Sequence, residues 1–151
     1  MKNSVSLKTP VNPQSSRPGS GRIWLVGITA TTLATLFNLA IGLAATFLFD
    51  VPADFEPLQS WAIAFTSILV GLGATTVFVV IKRFARNPIK LFGWISGIVL
   101  VVSILPLIPM LLMEPKYYPG TNLQTISTLF VIHLVTTAVC TGLLITKAHP
   151  Q

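Results

Sequence analysis

The chain has 151 residues, of which 52% are hydrophobic and only 9% are charged. Soluble domains carry roughly 25% charged residues, so the composition excludes an ordinary soluble domain and favours an integral membrane protein. A formal net charge of +6 would favour nucleic acid as the partner of a soluble protein. Here the basic residues flank apolar runs, so we assign them to membrane topology and lipid contact, with no nucleic-acid partner.

The first segment, residues 1–21, is polar, rich in proline and serine, and contains no acidic residue. This composition predicts a disordered segment that stays in the cytoplasm. The apolar run that follows is longer than the 7 to 15 or so residues of a signal-peptide core, so we expect an uncleaved first helix.

Four apolar runs follow, each longer than the roughly 20 residues that a helix needs to cross a bilayer. Because lipid cannot hydrogen-bond a bare peptide group, each crossing is expected to be helical. The predicted fold is all-α, an integral membrane four-helix bundle made of two helical hairpins. Its helices are expected at about 23–49, 58–81, 90–113 and 122–146, within a domain at 22–147 that is followed by a short tail at 148–151.

Acidic and basic residues are found in different connections between the apolar runs. The acidic residues lie between the first and second runs and between the third and fourth runs: Asp50, Asp54, Glu56 and Glu114. The loop between the second and third runs is basic: Lys82, Arg83, Arg86 and Lys90. By the positive-inside rule this loop and both termini are cytoplasmic in a multi-pass protein of the plasma (inner) membrane, and its four cations are expected to contact anionic lipids.

Aromatic residues agree with this topology. Trp24 and Trp94 fall at predicted inner ends, and Trp61, Tyr117 and Tyr118 fall at predicted outer ends, where amphipathic rings favour the head-group layer.

Two local patterns concern the ends of the later helices. Pro106 and Pro109 remove the amide hydrogens that would bond to the carbonyls of Val102 and Leu105, which predicts a kink or an early end of the third helix. Thr121 with Gln124 resembles a capping box at the start of the fourth helix.

Small and polar residues recur at helical spacing, which is typical of packing faces between membrane helices. The first three helices carry such residues at Gly27, Thr31, Thr35, Asn38 and Gly42, at Ser67, Gly71 and Thr75, and at the GxxxG pair Gly93 and Gly97. The fourth helix carries His133, Thr137 and Thr141.

Asn38 and His133 lie near the middle of their runs and are the main candidate binding residues. One interpretation is a small polar site, with His133 binding a solute or relaying a proton while Asn38 orients it. The other is an interhelical contact in which neutral His133 is hydrogen-bonded to Asn38, to a threonine or to a backbone carbonyl. Both predict that the two side chains face the bundle interior.

Chemical motifs are missing from the sequence. Cys140 is the only cysteine, which excludes an intramolecular disulfide and a CxxC motif. No Asp or Glu lies inside a predicted span, and no metal-binding, phosphate-binding or nucleophile motif is present. We therefore predict no catalytic residue, no cofactor and no metal.

Several features together resemble a known family: Asp50 closing the first helix, Arg83-Phe84 and Asn87-Pro88 in the basic loop, Ser103 and Pro106 in the third helix, and the stretch from Thr128 to Val135. The chain is similar to an uncharacterised bacterial family of small four-helix membrane proteins, a domain of unknown function. The resemblance covers roughly residues 22–146. It implies this fold, transfers no activity, and directs attention to Asp50, Ser103 and His133 as candidate binding residues.

Three functions stay open. A non-enzymatic accessory or scaffold subunit, packed against other membrane proteins or a second copy of the chain, fits the small-residue faces best. A small-solute carrier or channel would use a polar path at His133 and Asn38. A lipid-modifying or quinone-linked enzyme using His133 is least favoured, because no second catalytic group lies at similar depth.

Overall fold

The computed structural model describes residues 20–49, 51–52, 55–112 and 119–147, and within them the fold is all-α with no strand. The helices are α1 Ser20–Leu48, α2 Ser60–Phe84, α3 Pro88–Ile104, α4 Leu107–Leu112 and α5 Leu123–Lys147, with a 3-10 turn at Glu56–Leu58 before α2. In this part of the chain four helical segments are long and apolar enough to span a membrane: Gly21–Leu48, Ser60–Phe84, Pro88–Leu112 and Leu123–Lys147.

The helix ends differ from the predicted ones by a few residues. Ser20 and Gly21 were predicted as part of the polar segment, but they form the first residues of α1. Helix α2 continues past Ile81 to Phe84, since Lys and Arg are good helix formers. Residues 1–19 of the predicted polar segment and the predicted tail at 148–151 lie outside the described residues.

The third span is interrupted where the prolines predict a break. Helix α3 ends at Ile104 and α4 begins at Leu107. The Leu105 amide donates to the Val102 carbonyl at 3.3 Å, and the Ile108 amide donates to the Leu105 carbonyl at 3.1 Å. The carbonyls deprived of a partner by Pro106 and Pro109 are thus satisfied by amides three residues along the chain.

Helix α5 begins with a capping box one residue later than predicted. The Thr125 amide donates to Asn122 Oδ1 at 2.7 Å, and the Asn122 amide donates to Thr125 Oγ1 at 2.8 Å. The prediction that Thr121 and Gln124 form the box was therefore wrong in register, since Asn caps as well as Thr does. Gly120, just before the cap, has a φ of 80°, a conformation that favours glycine.

Helix α1 lies between α2 and α5 and is antiparallel to both. Near the start of α1, Gly27 faces Thr75 late in α2, and Ile23 shares a cluster with Leu144 near the end of α5. Helices α3 and α4 are peripheral, because the only side chains they bury are Phe92 and Leu107.

Two apolar clusters close the described bundle at its ends. Near the basic end, Ile23, Phe78, Ile81, Phe92 and Leu144 pack together, with the Phe78 and Phe92 rings edge to face at 4.9 Å. At the opposite end, residues of the segment between α1 and α2 pack against α2, α4 and α5: Val51, Phe55, Leu58, Ile63, Leu107, Ile126, Leu129 and Ile132, with Ala45 of α1. Small and polar side chains lie between the two clusters.

Candidate functional site

The contact between α1 and α2 is built from two glycines and two threonines. A Cβ on Gly27 would collide with Thr75, and a Cβ on Gly71 would collide with Thr31. Each threonine hydroxyl donates to the glycine carbonyl one turn earlier in its own helix, Thr31 to Gly27 at 2.8 Å and Thr75 to Gly71 at 2.9 Å. This reciprocal contact, the glycine–threonine seam, brings the two backbones close, as small residues do between membrane helices.

The other glycines named from the sequence fall into two groups. Gly42 continues the seam, because a Cβ there would lie 2.5 Å from Ile63 Cδ1. At Gly93 and Gly97 an added Cβ would meet nothing within 4 Å, so this GxxxG pair lies on the open side of α3.

Asn38 is the centre of a buried polar cluster that joins three helices. Its Nδ2 donates to Ser67 Oγ of α2 at 2.9 Å and to Thr136 Oγ1 of α5 at 2.6 Å. Asn38 has no exposed surface, and Ser67 and Thr136 are also buried. We call these three residues the Asn38 cluster. Hydrogen bonds of this kind hold membrane helices together.

The hydrogens of the Asn38 cluster fix the orientation of the amide. The Thr136 hydroxyl donates its one hydrogen to the Ile132 carbonyl at 2.8 Å, so its oxygen accepts, and the amide nitrogen of Asn38 must face it. Asn38 Oδ1 is then left buried without a hydrogen-bond donor among the described groups. A buried acceptor without a hydrogen-bond donor lowers the stability of the folded protein, because it has lost its hydrogen bonds to water.

His133 is half-buried on α5. Its Nδ1 lies 2.7 Å from the Leu129 carbonyl oxygen, which can only accept, so Nδ1 carries a hydrogen and Nε2 of a neutral ring is an acceptor. Asn38 is hydrogen-bonded to Ser67 and Thr136. The geometry therefore brings Asn38 to residues other than the histidine.

The other predicted site residues that the structure describes take no part in the hydrogen bonds of Asn38 to Ser67 and Thr136. The Ser103 hydroxyl donates to the Leu100 carbonyl of its own helix at 2.8 Å, and the Thr35 hydroxyl donates to the Thr31 carbonyl at 2.8 Å. Thr137 is half-buried. Asp50 lies outside the described residues.

Thr136 is the residue of the Asn38 cluster that the sequence did not indicate. The buried line of α5 runs at four-residue intervals through Thr128, Ile132, Thr136, Cys140 and Leu144, one residue away from His133, Thr137 and Thr141. Both lines carry threonines, so the sequence contains no signal that separates the buried line from its neighbour.

One end of the bundle is strongly basic. Its cations come from α1, α2, the following loop, α3 and α5: Arg22, Lys82, Arg83, Arg86, Lys90 and Lys147. Arg22 lies near enough to Lys82 for their like charges to interact. Lys82 is half-buried, and the other five are exposed. The described residues contain no group of three or more His, Cys, Asp or Glu that could hold a metal ion.

Comparison with known proteins identifies the family. The model of a family of unknown function, DUF6069, matches residues 18–149. The chain belongs to this family. No curated protein matches the chain, and no solved structure matches it. The family match covers all four spans and the whole Asn38 cluster, and the family has no assigned function to transfer to this chain.

Proposed function

We propose that the protein is a non-enzymatic accessory or scaffold subunit of the plasma (inner) membrane that packs against other membrane proteins. The observation that carries this proposal is an apolar notch between α4 and α5, about 320 Å³ in volume. The notch borders the break between α3 and α4, and its lining includes Ile108, Leu111, Ser127, Phe130 and Val131. Packing into such a recess is what draws membrane helices together, since lipid is as apolar as the side chains.

The bundle interior supports the same proposal. The amide nitrogen of Asn38 bonds to Ser67 and Thr136, and apolar clusters lie at both ends. The interior polar groups therefore serve mainly to hold α1, α2 and α5 together. A three-helix unit with α3 and α4 at its periphery suits a subunit that supports a neighbour.

The distribution of charge supports a cytoplasmic location for the basic end and both termini. Arg83, Arg86 and Lys90 are exposed at this end, and Trp94 is 75% exposed nearby. Glu56 and the exposed Trp61 lie at the opposite end. Cations beside apolar spans resist translocation, and tryptophan favours the head-group layer.

The proposal is tested by filling the notch. Val131→Trp should remove a stoichiometric partner from the protein purified in mild detergent, because the larger ring occupies the recess that the partner enters. Val70→Trp on the outer face of α2 is the matched control, since Val70 and Val131 are 46% and 42% exposed. Quantitative mass spectrometry of both purified samples gives the measurement. A partner retained by Val131→Trp, or lost equally from both variants, would contradict the proposal.

A small-solute carrier or channel is the second candidate, and the unpartnered Asn38 Oδ1 favours it. An acceptor buried between three helices, with the half-buried His133 as a further polar group on α5, would suit a transient polar ligand. Uptake in proteoliposomes that is unchanged in rate and pH dependence by His133→Ala would exclude His133 from such a path.

A further inference from the structure

The open side of α3 carries a long, shallow apolar channel, which this one helix lines and which is open to the outside along its length, with a positive charge at one end. Its lining includes Lys90, Gly93, Trp94, Gly97, Ile98 and Val101, and its volume is about 930 Å³. The two glycines lack side chains, so the floor of the channel lies at the helix backbone, and an added Cβ there would meet open space. Lys90 is exposed at the basic end of the channel.

The length of the channel matches one leaflet of a bilayer. From Lys90 to Val101 the helix rises about 17 Å at roughly 1.5 Å per residue, and half of a hydrocarbon core is about 15 Å. An acyl chain that begins at the head-group layer beside Lys90 would therefore end near the far end of the channel. The exposed Trp94 lies one turn inside Lys90, the depth at which an amphipathic ring meets the lipid interface.

The charged end of the channel suits an anionic head group. Arg86 is exposed four residues before Lys90, in the loop that leads into α3. Pro88 lies in the first turn of α3, and the Asn87 side chain makes no capping hydrogen bond. The first amides of the helix, which carry partial positive charge, are therefore not capped by that side chain.

We propose that this channel binds one anionic phospholipid of the cytoplasmic leaflet, with its phosphate at Lys90 and Arg86 and an acyl chain over Gly93 and Gly97. A second copy of the chain fits less well, because a parallel symmetric pair would bring Lys90 against Lys90. The site is separate from the notch between α4 and α5, so either proposal can fail without the other.

The experiment is native mass spectrometry of the full chain in mild detergent with added phosphatidylglycerol or phosphatidylcholine. One phosphatidylglycerol should be retained in preference to phosphatidylcholine. Lys90→Gln should lower its retention about fivefold, the effect of one cation near an anionic surface. Lys147→Gln, which removes an exposed cation from the same end on α5, should leave retention unchanged.

Two further measurements distinguish the contribution of the acyl chain to binding from that of the phosphate. Gly97→Leu should fill the channel and lower lipid retention with the charges intact, whereas Gly142→Leu, also at an open position, should not. Inorganic phosphate should fail to displace the lipid. Equal loss on Lys90→Gln and Lys147→Gln, equal retention of the two lipids, displacement by phosphate, or a dimer that excludes lipid would each overturn the proposal.

Discussion

At the scale of single residues, the glycine–threonine seam shows how little space separates α1 from α2. Gly27 and Gly71 each face a threonine from the other helix, and both threonines are buried. A threonine side chain is branched at Cβ and stiff, so it cannot move aside as a long flexible chain does. The seam therefore tolerates no added atom at either glycine.

Gly71→Ala should destabilise the protein by about 1 to 3 kcal/mol, the usual cost of overpacking a tight interior. Gly73→Ala is the matched control, since it lies two residues away in the same helix and its added Cβ would meet nothing within 4 Å. Thermal unfolding of the two variants in the same detergent gives the comparison. Equal stability of the two variants would show that the seam is looser than the structure places it.

The candidate site was predictable in part. The small and polar line on α1 predicts that Asn38 is buried, because lipid exposure of an unpaired amide is costly. Its partner on α5 was not predictable. Thr136 and Thr137 are adjacent, have the same chemistry and differ by about 100° around the helix, so only the packing of α1 against α5 decides which of them meets Asn38.

At the scale of elements, the start of α5 depends on a single asparagine. Asn122 and Thr125 satisfy each other's backbone amides, and Gly120 turns the chain just before them. Gly120 also lies against Phe55, where an added Cβ would approach the ring to 3.2 Å. The cap therefore links the start of α5 to the segment before α2.

Asn122→Ala should cost about 1 kcal/mol of stability, the typical value for loss of an N-cap. Gln124→Ala should cost much less, because Gln124 is exposed and the capping bonds run between Asn122 and Thr125. Chemical denaturation monitored by circular dichroism would compare the two. A larger loss for Gln124→Ala would favour the register expected from Thr121 and Gln124.

Helix number follows from the sequence, but helix ends do not. Apolar length predicts four spans, and the prolines predict the break between α3 and α4, because a missing amide hydrogen is a local property. The extension of α2 through Lys82 and Arg83 has no such signal. Their stems are apolar and their charges can reach the interface, so the chain can continue as helix past the point where the apolar run ends.

At the scale of the whole molecule, the cations of the described residues lie at one end of the bundle. Arg22 and Lys147 come from opposite ends of the described chain and lie at the same end of the molecule as the loop between α2 and α3, because the number of spans is even. By the positive-inside rule, this arrangement predicts that the basic end faces the cytoplasm. This prediction does not depend on which protein the chain packs against.

The orientation can be tested with single cysteines in a Cys140→Ala background, since Cys140 is the only cysteine in the chain. A cysteine replacing Arg86 should be protected from a membrane-impermeant maleimide in intact cells, and one replacing Glu56 should be labelled. Inside-out vesicles should reverse the pattern, which controls for poor reactivity. Labelling of the Arg86 position in intact cells would contradict the proposed topology.

The seam also limits how the helices can move. Sliding α2 one turn, about 5.4 Å, in one direction would set Thr31 against Thr75, with two branched side chains in a gap sized for one. Sliding it the other way would carry Ser67 away from Asn38 and leave Thr136 of α5 as the remaining partner of the amide nitrogen. Shear between α1 and α2 is therefore opposed in both directions, and among the described helices α3 and α4, which bury only Phe92 and Leu107, are the least constrained by packing.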